Sequence, residues 1–288
     1  MVHKTASRPI LPPARRDEII ELAECVAILH SSVSIVQPLN IAKVKDITHS
    51  LGHYGLGFDG MLEHRGGRFH IYLNTDRLGN IDSPRSRFTL GHELGHFYID
   101  EHRLALQSGK VPAHGSKCEF ESHNLVEQEA DLFASNLLMP PSRFLPEARK
   151  APSGLRGILR LASDFSVSIT SAAIRYCRSD VLPCAVIKWN SDGFAWKWLS
   201  TETFRQRFRK TIESKEHIPC GSATALAFRG DPLPPEGYFQ TGSTAASWFP
   251  YVEQDSYRNS IIMEEAIPLG RFGVLTFLYP DSGSYQFQ

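Results

Sequence analysis

The run Arg87-Phe88-Thr89-Leu90-Gly91-His92-Glu93-Leu94-Gly95-His96-Phe97 holds reactive residue types at a spacing that a helix can use. On an α-helix, side chains four apart lie one above the other, so His92 and His96 can offer two imidazoles to one metal ion. Glu93 follows His92 directly and can lean toward an open coordination position, where it would act as general base on a water. Catalytic zinc sites of this kind take three protein ligands, so a third donor is needed from elsewhere.

A second helix supplies candidates. Residues Leu125 to Met139 read as helical, stopped by Pro140-Pro141, and carry Glu127, Glu129 and Asp131. Glu127 and Asp131 share a face, beside the apolar positions Ala130, Phe133, Ala134, Leu137 and Leu138, so that face is expected against the core. Buried acids need partners. The economical assignment puts Glu127 on the metal and lets Asp131 accept the outer N–H of a ligand histidine, fixing its tautomer. Glu129 points the other way and reads as a solvated acid, with the role of fallback ligand. Zinc suits this donor set, while a two-His, one-carboxylate site also accepts manganese or iron.

Other elements must position these helices. Residues 1–14 read as a loose arm ending at Pro12-Pro13, followed by a helix from Arg16 to about His30, with Ile19, Leu22, Val26 and Leu29 at helical spacing. A second helix is expected from Ile41 to Leu51. Phe58–His64 and Arg68–Asn74 read as a hairpin turning at Gly66-Gly67. Ser83-Pro84 offers a hydroxyl N-cap and a first-turn proline, from which the motif helix is expected to run to about His102. Residues 103–122 look irregular, either a substrate lid or a plain connection.

The balance of 31 basic and 31 acidic residues in 288 gives no global field for nucleic acid or an anionic membrane. No apolar run approaches the roughly 20 residues that span a bilayer, and the basic N-terminus has no apolar segment behind it, so it is not expected to be a secretory signal. Five scattered cysteines without a Cys-x-x-Cys argue for reduced thiols in a cytoplasm. The length allows two domains, or three small ones.

Arg87 to His96, followed by Glu127-Gln128-Glu129-Ala130-Asp131-Leu132-Phe133-Ala134 and Leu137-Leu138-Met139-Pro140, resembles the ImmA/IrrE family of metallopeptidases. The match covers roughly residues 20–180 and is strongest over 87–140. The resemblance implies an α+β fold with a gluzincin-like (thermolysin-like) minimal zinc peptidase core. It also implies that His92, His96 and Glu127 hold the metal and that Glu93 is catalytic. Its members cleave a helix-turn-helix transcriptional repressor, relieving repression of stress-response or mobile-element genes. The expected partner is therefore such a repressor, and the expected compartment the cytoplasm. Asp131 stands where many members carry Asn; either accepts a hydrogen bond from histidine.

The expected domains are a peptidase over 15–150, a helix-turn-helix-like segment with a β-hairpin over 151–200, and an α+β, GAF-like or partner-binding domain over 201–288. In the middle segment, Leu155-Ile158-Leu159 and Ile169-Ala173-Ile174 mark two short helices. The hairpin Cys184–Trp189 and Phe194–Leu199 would serve as a wing. Ser171, Arg175 and Arg178 make a poor DNA-reading face, which favours packing over reading. A basic helix is expected over Glu202–His217, and strands over Ser260–Pro268 and Phe272–Tyr279. The competing function is a DNA-binding transcriptional regulator with a structural metal site. Tyr98, His102, His114 and His123 are candidate oxyanion donors.

Overall fold

The computed structural model describes residues 10–31, 35–109, 115–116, 124–200, 204, 208, 211–252 and 255–281. The chain divides into two compact units, Met1–Phe144 with Ser163–Ser168, and Leu145–Ala162 with Ile169–Gln288. The fold class is α+β, as expected.

The first unit begins with α1 (Pro13–His30), three residues earlier than the periodicity suggested, because Pro13 takes the first helical position. The expected helix over Ile41–Leu51 is corrected. Only α2 (Pro38–Val44) is helical, and Thr48–Gly52 is strand β1. Asp46 adopts a left-handed backbone (φ 56°), which ends the helix. Ile41, Val44, Ile47 and Leu51 suggested one apolar helix side by their spacing, but Val44 and Leu51 are exposed. Strands β2 (Gly60–Arg65) and β3 (Arg68–Asn74) form the expected hairpin, with positive φ at both Gly66 and Gly67 as a two-residue turn requires. The sheet order is β1-β3-β2, with β1 parallel to β3 and β2 antiparallel to it, so β1 and β2 are its outer strands.

After a single turn, α3 (Thr75–Leu78), the motif helix α4 spans Pro84–Tyr98. Ser83 Oγ accepts the Ser86 amide at 3.1 Å, the expected cap. The helix ends four residues short of His102: Ile99 is extended, and α5 (Asp100–Gln107) starts with acidic Asp100 and Glu101 in its first turn. Helix α6 (Leu125–Leu138) is capped by Asn124 Oδ1, which accepts the Val126 amide. Ala130, Phe133, Ala134, Leu137 and Leu138 are all buried, so its core face is the predicted one. Pro140-Pro141 does stop α6, but Pro141 opens a further helix, α7 (Pro141–Lys150).

Two buried charges tie the motif helix to its surroundings. The Arg87 guanidinium donates to Gln37 Oε1 (2.7 Å), the Val36 carbonyl (2.7 Å) and the Ser166 carbonyl (3.0 Å). Asp59, just before β2, accepts from Arg77 Nε on α3 (2.6 Å) and from Arg85 Nη2 on α4 (3.0 Å). Asp59 thereby clamps the start of β2 to the first turn of α4.

The second unit holds a five-stranded antiparallel sheet. Its strands are β4 (Ala185–Asn190), β5 (Gly193–Leu199), β6 (Phe239–Thr244), β7 (Ile261–Pro268) and β8 (Val274–Pro280), in the order β5-β4-β8-β7-β6. The hairpin of β4 and β5 is therefore not a separate wing. β4 pairs with β8 from Ala185↔Leu278 to Trp189↔Val274, so the expected boundary at residue 200 runs through one sheet. The expected helices around the turn at Ser166 are α8 (Leu155–Phe165) and α9 (Ile169–Arg178). Arg178 lies 3.9 Å over the Trp198 ring, an engaged rather than a free cation. Helix α10 (Ala223–Arg229) packs on the sheet, where Glu264 accepts from the Thr224 amide (2.7 Å) and Trp248 Nε1 (2.8 Å). Most of the expected basic helix 202–217, with Arg205, Arg207, Arg209 and Lys210, lies outside the described residues; Thr211–Ser214 is not helical, and Lys215–His217 is a 3-10 turn. Among the described residues, no helix is long and apolar enough to cross a membrane.

Burial pushes the Asp59 carboxyl up, but the Arg77 and Arg85 guanidiniums outweigh it and hold it below the usual carboxylate range. A depressed folded value means that its contribution is present above the ordinary carboxylate pKa and is lost as pH falls through the folded value. Asp59→Ala should cost roughly 2–3 kcal/mol in urea unfolding near neutral pH, the lower side of what breaking a buried pair costs because both arginines keep some water contact. The difference between variant and wild type should shrink below about pH 4; a deficit that does not change with pH would contradict the ion-pair account.

Candidate metal centre

Helices α4 and α6 meet closely because α4 presents Gly91 and Gly95 to α6. A Cβ at Gly91 would lie 3.3 Å from Ala134 Cβ, and one at Gly95 would lie 3.1 Å from Ala130 Cα. The contact turns His92 and His96 toward Glu127 and Asp131.

The three predicted ligand residues come together. His92 Nε2 lies 3.1 Å from His96 Nε2 and 3.2 Å from Glu127 Oε2, and His96 Nε2 lies 3.5 Å from Glu127 Oε1. Four ligands placed tetrahedrally at zinc bond lengths are separated by about 3.3–3.4 Å, from bond lengths of about 2.0–2.1 Å. The two imidazole nitrogens stand near that separation, and each has one oxygen of the Glu127 carboxylate at a similar distance. The histidines are buried and the Glu127 side chain is 13% exposed. Two imidazoles and one carboxylate fit a divalent metal by chemistry as well as by spacing.

Asp131 stands where it was expected, with Oδ1 2.8 Å from His92 Nδ1. A carboxylate there accepts Nδ1–H and leaves the Nε2 lone pair facing the other two donors. The reading of Glu129 as a solvated acid is corrected. Its side chain is 13% exposed, its Oε2 lies 2.9 Å from His102 Nε2, and Arg15 of α1 donates to it from Nε (2.9 Å) and Nη2 (3.0 Å). His102 is not an oxyanion donor in this arrangement. It is buried behind His96, the two Nδ1 atoms 3.2 Å apart. Burial lowers its pKa, against the raising influence of Glu129.

Glu93 is fully buried beside β2. A Cβ on Gly60 would stand 2.8 Å from Glu93 Oε1 and 2.5 Å from Thr89 Cγ2, so only glycine lets the strand pass this close. At that point the outer side of β2 is met by the chain itself: Ser116 N donates to the Gly60 carbonyl and Asp59 N to the Ser116 carbonyl, each at 2.8 Å. Tyr98 is directed elsewhere. Its hydroxyl lies 3.3 Å from His30 Nε2, its ring stacks on Phe133, and burial pushes its pKa up to about 12. His114 and His123 lie outside the described residues.

Sequence reasoning missed the arrangement of Arg15, His102 and Glu129. The only signal was His102 six residues past His96, and the break at Ile99 that folds it back is not visible in the apolar pattern. The fit of Gly91 and Gly95 against α6 was equally open to sequence, since glycines inside a helix cost stability and ask for a packing reason.

On an α+β fold, the two facing helices bring together a His-His-Glu group that could hold a metal ion. The family model Peptidase_M78, described as the IrrE N-terminal-like domain, matches residues 43–176. Over that stretch the chain is similar to the IrrE N-terminal-like domain. A solved structure described as a Mycobacterium tuberculosis transcriptional regulator is 12% identical with a TM-score of 0.56, covering 93% of this chain and 81% of that one. At that identity the likeness shows the fold alone. No curated protein matches the chain by sequence.

Removing the partner of a ligand histidine typically weakens metal binding by about 10–100-fold. Asp131→Ala should therefore weaken Zn2+ binding by about that factor in competition with a chromogenic chelator, whereas Asp131→Asn, which still accepts Nδ1–H, should retain most of it. Equal affinity in all three proteins would show that Asp131 does not hold His92.

Proposed function

We propose that this protein is a cytoplasmic zinc-dependent endopeptidase that cleaves a helix-turn-helix transcriptional repressor at a specific site. The observation that carries the reading is the close packing of His92 Nε2, His96 Nε2 and Glu127 at 3.1–3.5 Å, with Glu93 buried on the same helix. Zinc, when bound, supplies Lewis acidity that lowers the pKa of a water toward about 7 and offsets charge developing on the peptide oxygen.

The rest is done by side chains of this chain. His92, His96 and Glu127 hold the ion, and Asp131 fixes the His92 tautomer. Glu93 takes a proton from the attacking water and passes it to the leaving amine. Its burial beside Gly60 keeps the carboxylate in one place and away from bulk solvent. β2 is an outer strand of its sheet, and because Ser116 pairs with it at Gly60 beside Glu93, an extended substrate segment would add to the strand beyond that point.

The core is read as gluzincin-like, and the family match supports a repressor as the substrate class. The second unit is read as a regulatory or partner-binding domain; its five-stranded antiparallel sheet is compatible with a GAF-like fold. The competing reading, a DNA-binding regulator with a structural metal, is less well supported. Its proposed wing is continuous with a five-stranded sheet, and Arg178 is held against Trp198.

The test uses a small helix-turn-helix protein encoded beside this chain, incubated with it and Zn2+ or Mn2+, with the products read by mass spectrometry. Cleavage at one site is expected, and Glu93→Gln should slow it by about 10²–10⁴-fold while metal content is unchanged. Full cleavage by the Glu93→Gln protein would remove Glu93 from the mechanism. Intact substrate with the metal-loaded wild type would sink this choice of substrate.

A further inference from the structure

We infer that His102, Glu129 and Arg15 form a positioning chain that fixes His96 as a metal ligand, an inference that rests on reading His92, His96 and Glu127 as the metal site. His96 has two ring nitrogens. Its Nε2 faces His92 and Glu127, and its Nδ1 lies 3.2 Å from His102 Nδ1. Two ring nitrogens at that distance share one proton, so one donates and the other accepts.

The far side of His102 places one proton. Its Nε2 lies 2.9 Å from Glu129 Oε2, and a carboxylate only accepts, so Nε2 carries a proton. A metal ligand needs the lone pair on Nε2, the atom that faces His92 and Glu127, so the His96 ring proton stands on Nδ1 and is donated to His102 Nδ1. The Nε2 lone pair then points to the side where His92 and Glu127 stand. The opposite pattern, with His102 donating from both nitrogens, would put the His96 proton on Nε2 and block the ligand atom.

Glu129 is itself held in place. Arg15 grips both of its oxygens, from Nε at 2.9 Å and Nη2 at 3.0 Å, and also reaches Glu101 and Glu18 at 3.0 Å each. This fork-to-fork geometry fixes the plane of the carboxylate as well as its charge. Helices α1, α5 and α6 thus converge on one imidazole of α4. The two ligand histidines are oriented by different devices: His92 by a carboxylate in direct contact, and His96 by an imidazole that relays one. In each case the outer partner selects the tautomer that a metal ligand needs.

The conservative replacement is set by the geometry. A glutamine at 102 has an oxygen to accept from His96 Nδ1–H and an N–H to donate to Glu129, whereas leucine fills the space and can do neither. Zn2+ affinity is measured by chelator competition, and the visible absorption of the Co2+-loaded protein reports the ligand geometry. Circular dichroism checks folding. His102→Leu is expected to lose about 10–100-fold in Zn2+ affinity and to change the Co2+ spectrum, while His102→Gln should stay within about threefold of wild type. Glu129→Gln serves as a second variant should His102→Leu fail to fold, and a loss of at least about threefold is expected for it.

A His102→Leu protein within twofold of wild type, or a His102→Gln protein as weak as His102→Leu, overturns the inference. So does an unchanged affinity in Glu129→Gln where His102→Leu does not fold. A wild-type chain that takes up neither ion overturns the metal-site reading itself and the positioning chain with it, which keeps the two failures distinguishable.

Discussion

The close approach of α4 to α6 is the constraint on which the centre depends. Gly91 and Gly95 each forgo a side chain where one would press on Ala134 or Ala130. Glycine inside a helix costs about 1 kcal/mol relative to alanine, and two within five residues would weaken an isolated helix. The cost is offset by packing, because α6 brings Phe133, Ala134 and Leu137 into the core on the face that carries Glu127 and Asp131. The same contact that fills the core therefore sets the 3.1–3.5 Å separations of the three donors. Spacing along α4 supplies two candidate ligands; the gap between the helices decides whether a third can reach them.

Holding these groups raises an electrostatic problem, and the first unit answers it with fixed partners. Asp59 sits between Arg77 and Arg85, and Glu129 sits between His102 and Arg15, each a buried or nearly buried carboxylate held by cationic or N–H donors. Such buried arrangements add little net stability compared with well-packed apolar residues. Their service here is placement. Asp59 ties the start of β2 to α4 beside Glu93, and the Arg87 guanidinium, which burial alone pushes below its usual pKa, ties the first turns of α4 to Val36, Gln37 and Ser166.

The centre was legible in the sequence where one helix's periodicity carried it. His92 and His96 four apart, Glu127 and Asp131 four apart, and Ser83-Pro84 at a helix start are local statements, and geometry follows from them directly. Features that depended on chain reversals were not legible. The break at Ile99 returns His102 to His96, and the left-handed Asp46 turns an apparent amphipathic helix into α2 and β1; neither leaves an apolar pattern that announces it. Glu129 was misread for a related reason. Helical spacing placed it away from Glu127, but could not show that Arg15, 114 residues earlier, comes to meet it. In the second unit the local strands were readable, whereas the pairing of β4 with β8, about ninety residues apart, was not. A hairpin that looks self-sufficient in sequence can therefore be one side of a larger sheet.

The central claim is that His92, His96 and Glu127 hold one metal ion. Its most direct test is elemental analysis of the purified wild-type chain beside a His96→Ala/Glu127→Ala double variant, each first loaded with Zn2+ and then desalted. The account predicts about one zinc per wild-type chain and close to none in the folded double variant. Equal zinc in the two proteins, or none in either, would contradict it.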